Sequence, residues 1–452
     1  MTVDLIIKNG TLVMPNYVVK ATIAIDNGKI VSISSNSVTF NADKIIDATG
    51  LYILPGIIDD HVHFREPGLT YKEDFYTGSM AAACGGVTLV LDMPNVVPPT
   101  ADQQTLKQKV ELASRKSFVD FGFYGVILPT NIDQIEPLAE AGVIGYKVFM
   151  GLIVGGLPSP NDGELIEAFK RIANTGLRVG VHAENRQIID YLTEKLKKEG
   201  RTDPLAHLES RPAIAEAEAI QRAILFAKQF GTKLHIFHMS SKEGVEIVRW
   251  AKQNGLNVSA ETCPHYLLFD GQEGLKKLGS LLKMNPPIRT KEHAEALWQG
   301  LKDGTIDVIA TDHSPHTREE KLNPNIWEAI AGFPGVETLL PLMLTQVNNG
   351  KLSLTELVRL MSENPAKLWG LYPKKGTINI GSDGDLTIID LHKEGVIESE
   401  KLHSKNKLTP FDGFKVKGMP VYTIVRGNVV MEKGEIVGEP KGMWIKPISK
   451  IG

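Results

Sequence analysis

The sequence predicts an α/β protein, a (β/α)8 TIM-like barrel with a small β-sandwich domain built from both chain termini. Three observations carry that expectation. Eight short apolar runs recur through the middle of the chain, each followed by a polar, helix-like stretch. Eight such repeats over about 320 residues are what this barrel needs. The two ends instead alternate apolar and polar residues between turn signals. The total of 452 residues suits one barrel of about 250 residues plus a companion domain.

Residues 1–52 read as strands. VDLIIKNGTLVM alternates around Asn9-Gly10 and ATIAIDNGKIVSIS around Asp26-Asn27-Gly28, and both are read as hairpins. Residues 371–452 share that texture in DLTIIDL and VYTIVRGNVVMEKGEIVG, with Gly427 and Gly434 at turns. Neither end closes a core alone, so the two are expected to combine. Residues 53–370 form the predicted barrel, from YILPGIIDDHVHF through GVTLVLDMPN, FVDFGFYGVIL, GVIGYKVFM, LRVGVHAE, KLHIFHMS and NVSAETCPHYLL to DVIATDHSPH. ADQQTLKQKVELASRK and PAIAEAEAIQRAILFAKQF between them space their apolar residues as helices do.

Composition narrows the function. Lys and Arg number 50 against 53 Asp and Glu, a formal charge of -3, which argues against a nucleic-acid footprint. With 42% hydrophobic and 23% charged residues, global disorder is excluded. Two cysteines, Cys84 and Cys263, are too few for a disulfide framework or a Cys-based zinc site. No cationic-then-apolar leader and no long apolar window are present, so a cytoplasmic protein without a membrane span is expected. A homo-oligomer is compatible with all of this.

Polar side chains end seven of the eight runs: His61 and His63, Asn95, Lys147, His182, His238, His265, and Asp312 with His313 and His316. In a barrel those ends meet at one rim, where active sites of this fold lie. His61 and His63, two apart on a strand, face the same side and can grip one cation. His182 and His238 add imidazoles from other strands. His235, three residues before His238, is expected to face outward, and His207, His293, His392 and His403 to lie at the surface. Four histidines and the Asp312 carboxylate exceed the three protein ligands of one catalytic zinc, which suggests two metals. Lys147 would repel both cations as an ammonium; it either points away or reacts as the neutral amine with carbon dioxide, giving a carbamate that can bridge them.

DHVHFREPG, KEDFYTGSMAAACGGVT and DMPN, followed by GYKVF, VHAE, HxxHxS, ETCPHYL, KMNPPIR, ATDHSPH and GFPGVET, resemble the signature of dihydroorotases within the amidohydrolase superfamily. The likeness covers residues 50 to 370, and GTINIGSDGDLTIIDL extends it toward the C-terminus. It implies that His61, His63 and Asp312 hold one Zn2+ and His182 and His238 a second, bridged by carbamylated Lys147 and hydroxide. It implies Asp312 as the catalytic proton carrier, Arg65 as a bidentate clamp on the substrate carboxylate, Asn95 and His316 as its helpers, and Asn285 as a contact to the ring.

The expected activity is therefore reversible cyclisation of N-carbamoyl-L-aspartate to L-dihydroorotate in pyrimidine biosynthesis, with a small-molecule substrate as partner. Hydantoinase or allantoinase action on a related cyclic ureide is the alternative. Arg65 stands where allantoinases resemble Asn-Glu-Pro, and Met150, Gly151 and Leu152 offer no tyrosine of the hydantoinase kind. A non-catalytic scaffold is disfavoured by the complete ligand set. The Gly- and Pro-rich Gly151–Pro160 is expected to be either a mobile cover or an ordinary loop.

Overall fold

The computed structural model describes residues 2–35, 41–151 and 156–448. Its centre is an eight-stranded parallel sheet in sequential order, β6 (Ile57–Val62), β7 (Val87–Asp92), β8 (Asp120–Val126), β9 (Gly145–Phe149), β10 (Arg178–His182), β11 (Lys233–Ile236), β12 (Val258–Thr262) and β13 (Val308–Ile309). Each of the eight apolar runs supplies one strand. The sheet closes where β13 has already ended: His63 N donates to His313 O at 2.8 Å, and Val62 bridges His313 in parallel. The (β/α)8 barrel is thus present.

Helices fill the intervals as the apolar spacing requires. Gln103–Ser114 is typical, opening on Asp102, whose carboxylate accepts from Thr105 N at 2.7 Å. Inside the barrel, Ile58, Leu89, Leu91, Tyr124, Phe237 and Trp369 form a closed apolar plug. Phe237 enters because Gly180 on β10 has no side chain; a Cβ there would stand 2.0 Å from the ring.

The termini join in one nine-stranded sheet beside the barrel. β1 (Thr2–Met14), β2 (Tyr17–Asp26), β3 (Lys29–Ser34), β4 (Asn41–Asp47) and β5 (Tyr52–Pro55) come from the N-terminus. β14 (Leu386–Val396), β15 (Lys415–Val425), β16 (Asn428–Glu432) and β17 (Glu435–Ile436) come from the C-terminus. The seam is β5, parallel to β1 on one side and antiparallel to β14 on the other. Ile7, Leu12, Ile23, Ile53, Leu386 and Ile424 meet in one core that draws on both ends. The turn at Asn27-Gly28 forms as expected, whereas Asn9-Gly10 does not turn the chain. β1 runs through it, with the register slipping between Ile7 and Gly10 and Asn9 at φ 62. It is a β-bulge, because both flanks already pair with β2. Among the described residues, no helix is long and apolar enough to cross a membrane.

A buried ionic knot joins this sheet to the barrel. Lys375 Nζ lies 2.5 Å from Asp120 at the start of β8, and 2.6 and 2.9 Å from Asp385 and Asp383 just before β14. Burial alone would lower the Lys375 pKa, but the three carboxylates reverse that and raise it. Arg426, after β15, also binds Asp120. Lys375→Met should cost about 3–5 kcal/mol, because it strands carboxylates in the interior; urea unfolding would measure this, and a loss under about 1 kcal/mol would remove the knot from its joining role.

Candidate active site

The C-terminal ends of the barrel strands carry the expected side chains into one cavity. His61 is the penultimate residue of β6 with His63 just beyond the strand, Asn95 follows β7, Lys147 sits within β9, His182 ends β10, and His238 and Asp312 follow β11 and β13. All seven line the same cavity, with Arg65, Phe149, Met284, Asn285, Ser314 and Ala331. Three of these residues, Arg65 (φ 62), His238 (φ 40) and Asp312 (φ 47), hold a left-handed backbone. Non-glycine residues adopt it at a cost, and it gathers where side chains must be aimed.

Three of the four imidazoles are oriented from behind. His61 Nδ1 lies 2.5 Å from Glu261 Oε1 and His63 Nδ1 lies 2.9 Å from Asn95 Oδ1. His182 Nε2 meets Glu184 Oε2 at 2.8 Å, and Glu184 is bound in turn by Arg211. The opposite ring nitrogens therefore face inward. His61 Nε2 and His63 Nε2 stand 3.3 and 3.1 Å from Asp312 Oδ1, and His182 Nδ1 stands 2.9 Å from His238 Nε2.

Electrostatics in this pocket favour neutral donors around one anion. Burial, with Lys147 nearby, pushes His61 well below the usual imidazole range, and burial takes His63 down to about 4. Burial would raise the Asp312 carboxyl, but His61 and His63 more than reverse this and hold it well below the carboxylate range. Lys147 is buried with Nζ 3.9 Å from the centre of the Phe237 ring, and burial lowers it to about 8. Among the described residues, no carboxylate lies within ion-pair distance of it.

These residues fit divalent cations. His61, His63 and Asp312 each offer a ligand atom, all within 4.8 Å of one another. His61 Nε2 and His238 Nδ1 are buried without a hydrogen-bond partner. Neutral imidazole and carboxylate are the donors that such ions take.

Other expectations need revision. His316 is not in the cavity wall; it stands behind Arg65, its Nε2 3.1 Å from Arg65 Nη2 and its Nδ1 3.1 Å from Lys72 Nζ. Arg65 Nε also donates to Pro315 O at 3.3 Å. The neighbouring acids do not pair with Arg65: Glu66 pairs with Lys116 and Asp74 with Lys405. His235 does not face outward. It is fully buried, with Nε2 3.2 Å from Glu261 Oε2 and its ring packed near Trp369. Strand alternation misplaced it because the chain leaves the β region at His238, which therefore reaches the same interior. His207 is buried too, its Nε2 donating to Met284 O at 2.9 Å. His265 is buried against Tyr266 and Phe333, away from the cavity wall. Of the Gly151–Pro160 stretch, 152–155 lie outside the described residues.

Glu261 and Glu184 were missed as orienting groups, although each had a signal. Glu261 is a carboxylate inside an apolar strand, and Glu184 lies two residues beyond His182.

Comparison with known proteins supplies the family. The amidohydrolase family model matches residues 52–430. An L-hydantoinase of Paenarthrobacter aurescens is 40% identical over 442 residues, 96% of each chain. An allantoinase of Rubrobacter xylanophilus is 39% identical over 449 residues, 98% of each. A dihydroorotase of Methanosarcina mazei is 40% identical over 457 residues, 99% of each. The solved L-hydantoinase (dihydropyrimidinase) from Arthrobacter aurescens superposes with a TM-score of 0.96 at 39% identity, covering 98% of this chain and 100% of that one.

The dihydroorotase expectation is overturned by this pattern, in which hydantoinases and allantoinases predominate among both relatives and structures. That expectation rested on the motif resemblance, with Arg65 as the discriminating residue, and a guanidinium that also holds Pro315 and His316 does not by itself report an acid on the ring. What sequence, barrel and full-length relatives agree on is that the chain belongs to the amidohydrolase family.

Proposed function

We propose that the protein hydrolyses the ring of a cyclic ureide of the hydantoin class, which includes allantoin, its 5-ureido member. The observation that carries this reading is the convergence of His61, His63, Lys147, His182, His238 and Asp312 on one cavity in a chain whose full-length relatives include an L-hydantoinase and allantoinases.

His61, His63 and Asp312 would hold one divalent cation, and His182 and His238 another; zinc suits these donors. Lys147 is the group between them. Its pKa, lowered to about 8, leaves a minor fraction of the amine neutral near physiological pH, the form that adds carbon dioxide, with loss of a proton, to give a carbamate. Bound there, the cations supply Lewis acidity and lower the pKa of water to about 7.

The chain's own residues do the rest. Asp312, held ionised, accepts a proton from the attacking water as its oxygen adds to the acyl carbon. The ring C–N bond then breaks, and the same carboxyl returns the proton to the departing nitrogen. Asn285 orients the ring: its Oδ1 is buried in the cavity wall without a partner, an acceptor suited to a ring N–H. Arg65 and Asn95 face the same cavity and are assigned to substrate binding, while His316 positions Arg65.

Hydantoin, allantoin and dihydroorotate should be assayed side by side, with metal measured on the same sample. One of the first two should exceed dihydroorotate in kcat/KM by about tenfold or more; faster turnover of dihydroorotate would overturn the reading. Asp312→Asn should lower kcat by about 10²–10⁴-fold while most bound metal is kept, and near-normal turnover would remove it from proton transfer. Lys147→Ala should lose metal and regain part of it with added short carboxylates. Full metal content without such rescue would sink the bridging role.

A further inference from the structure

Beside the active-site cavity lies a second one of about 380 Å³. Its wall includes Lys197 from the helix Arg186–Lys198, His207 from the helix Pro204–Ser210, Arg211, Lys283 and Trp327. The two cavities share Asn285 and Ala331. The active-site cavity itself is about 50 Å³, room for roughly three to five waters. A reacting ring fills such a space, so a long substituent must extend beyond it.

The charge of the second cavity is unbalanced. None of its lining residues is Asp or Glu. Arg211 is neutralised by Glu184, but Lys283 is not neutralised by any acid: its buried Nζ donates to the carbonyls of Ile326 and Ala329 at 2.6 Å each. An ammonium has three protons, so one remains. Behind it Lys321 is held in the same way, by Lys283 O at 2.6 Å and Ile330 O at 3.2 Å. Burial, with Arg211 and Lys197 nearby, lowers Lys283 to about 7, and burial with Lys283 holds Lys321 well below the usual lysine range, so a carboxylate entering the cavity would favour the charged form of Lys283. Lys197, exposed, pairs with Glu194 at 3.4 Å and lies over the Trp327 ring, 5.9 Å from its centre. His207 is pushed well below the imidazole range by burial and by Lys283, so it adds no charge, and its single N–H is already given to Met284 O.

We propose that this cavity is a subsite for a carboxylate carried on the substituent of the ring substrate, so that the enzyme prefers hydantoins with an acidic side chain. The inference rests on the cyclic-ureide reading above. Lys283 and Lys197 would face the carboxylate, and Trp327 and Ile189 the methylenes that lead to it.

The metal-loaded enzyme should be compared on 5-(2-carboxyethyl)hydantoin, its carboxamide analogue and unsubstituted hydantoin. The acid should exceed the amide in kcat/KM by about tenfold, and Lys197→Met and Lys283→Met should each shrink that ratio by about fivefold through KM. If Lys283→Met does not fold, Lys197→Met, at an exposed position, decides. An acid-to-amide ratio near one, or a ratio untouched by the substitutions, overturns the subsite while leaving ring hydrolysis intact. Free glutarate should compete with the acidic hydantoin. If instead it changes kcat for unsubstituted hydantoin without competing, the cavity takes a separate effector anion and the proposal fails. If no hydantoin is turned over, the ureide reading falls, and the subsite is judged by calorimetry of glutarate: binding weakened by both substitutions supports it, and no binding overturns it.

Discussion

Lys147, an amine buried with no carboxylate within ion-pair distance among the described residues, organises the active site. Lys147 lies under the aromatic face of Phe237, among imidazoles that share its shortage of negative charge, and Asp312 is the nearest source of relief. Such an arrangement is unfavourable unless the cavity is completed by something that changes the charge. The surrounding carboxylates do not move in to do so; Glu261 and Glu184 are spent on the backs of His61 and His182. Apart from Asp312, the protein thus keeps these carboxyl groups one layer out, fixing ring orientation, and turns the opposite ring nitrogens inward for cations.

Much of this was legible in the sequence. Every apolar run became a barrel strand, because eight buried parallel strands leave a strong hydrophobic signal, and the polar residues ending them meet at one rim because the fold makes them. Legibility failed where the chain departs from regular geometry. His235 was placed by alternation, which the left-handed backbone at His238 interrupts, and Asn9-Gly10 has the composition of a turn but the hydrogen bonding of a bulge. His207 and Glu261 are buried by tertiary partners from distant segments, Met284 and His61, that no local pattern announces.

Substrate identity was the least legible property, for a physical reason. An arginine at a rim is equally a ligand for substrate and a strut for its own loop. In Arg65 the bonds to Pro315 and His316 show the strut. In the proposed reading, the chemistry of ring opening is written in the donor set. Choice among rings is set by the walls farther out, where Asn285 and Ala331 lead toward Lys283.

The seam at β5 also bears on how the molecule is made. β5 is finished at Pro55, yet the strand that covers its outer edge begins only at Leu386. On a ribosome the whole barrel emerges in between, so the first five strands wait with that hydrogen-bonding edge bare until the barrel has been made. Nascent chains halted before that point would expose it to one another, and the strands from Leu386 onward act as the cap that makes the first ones safe.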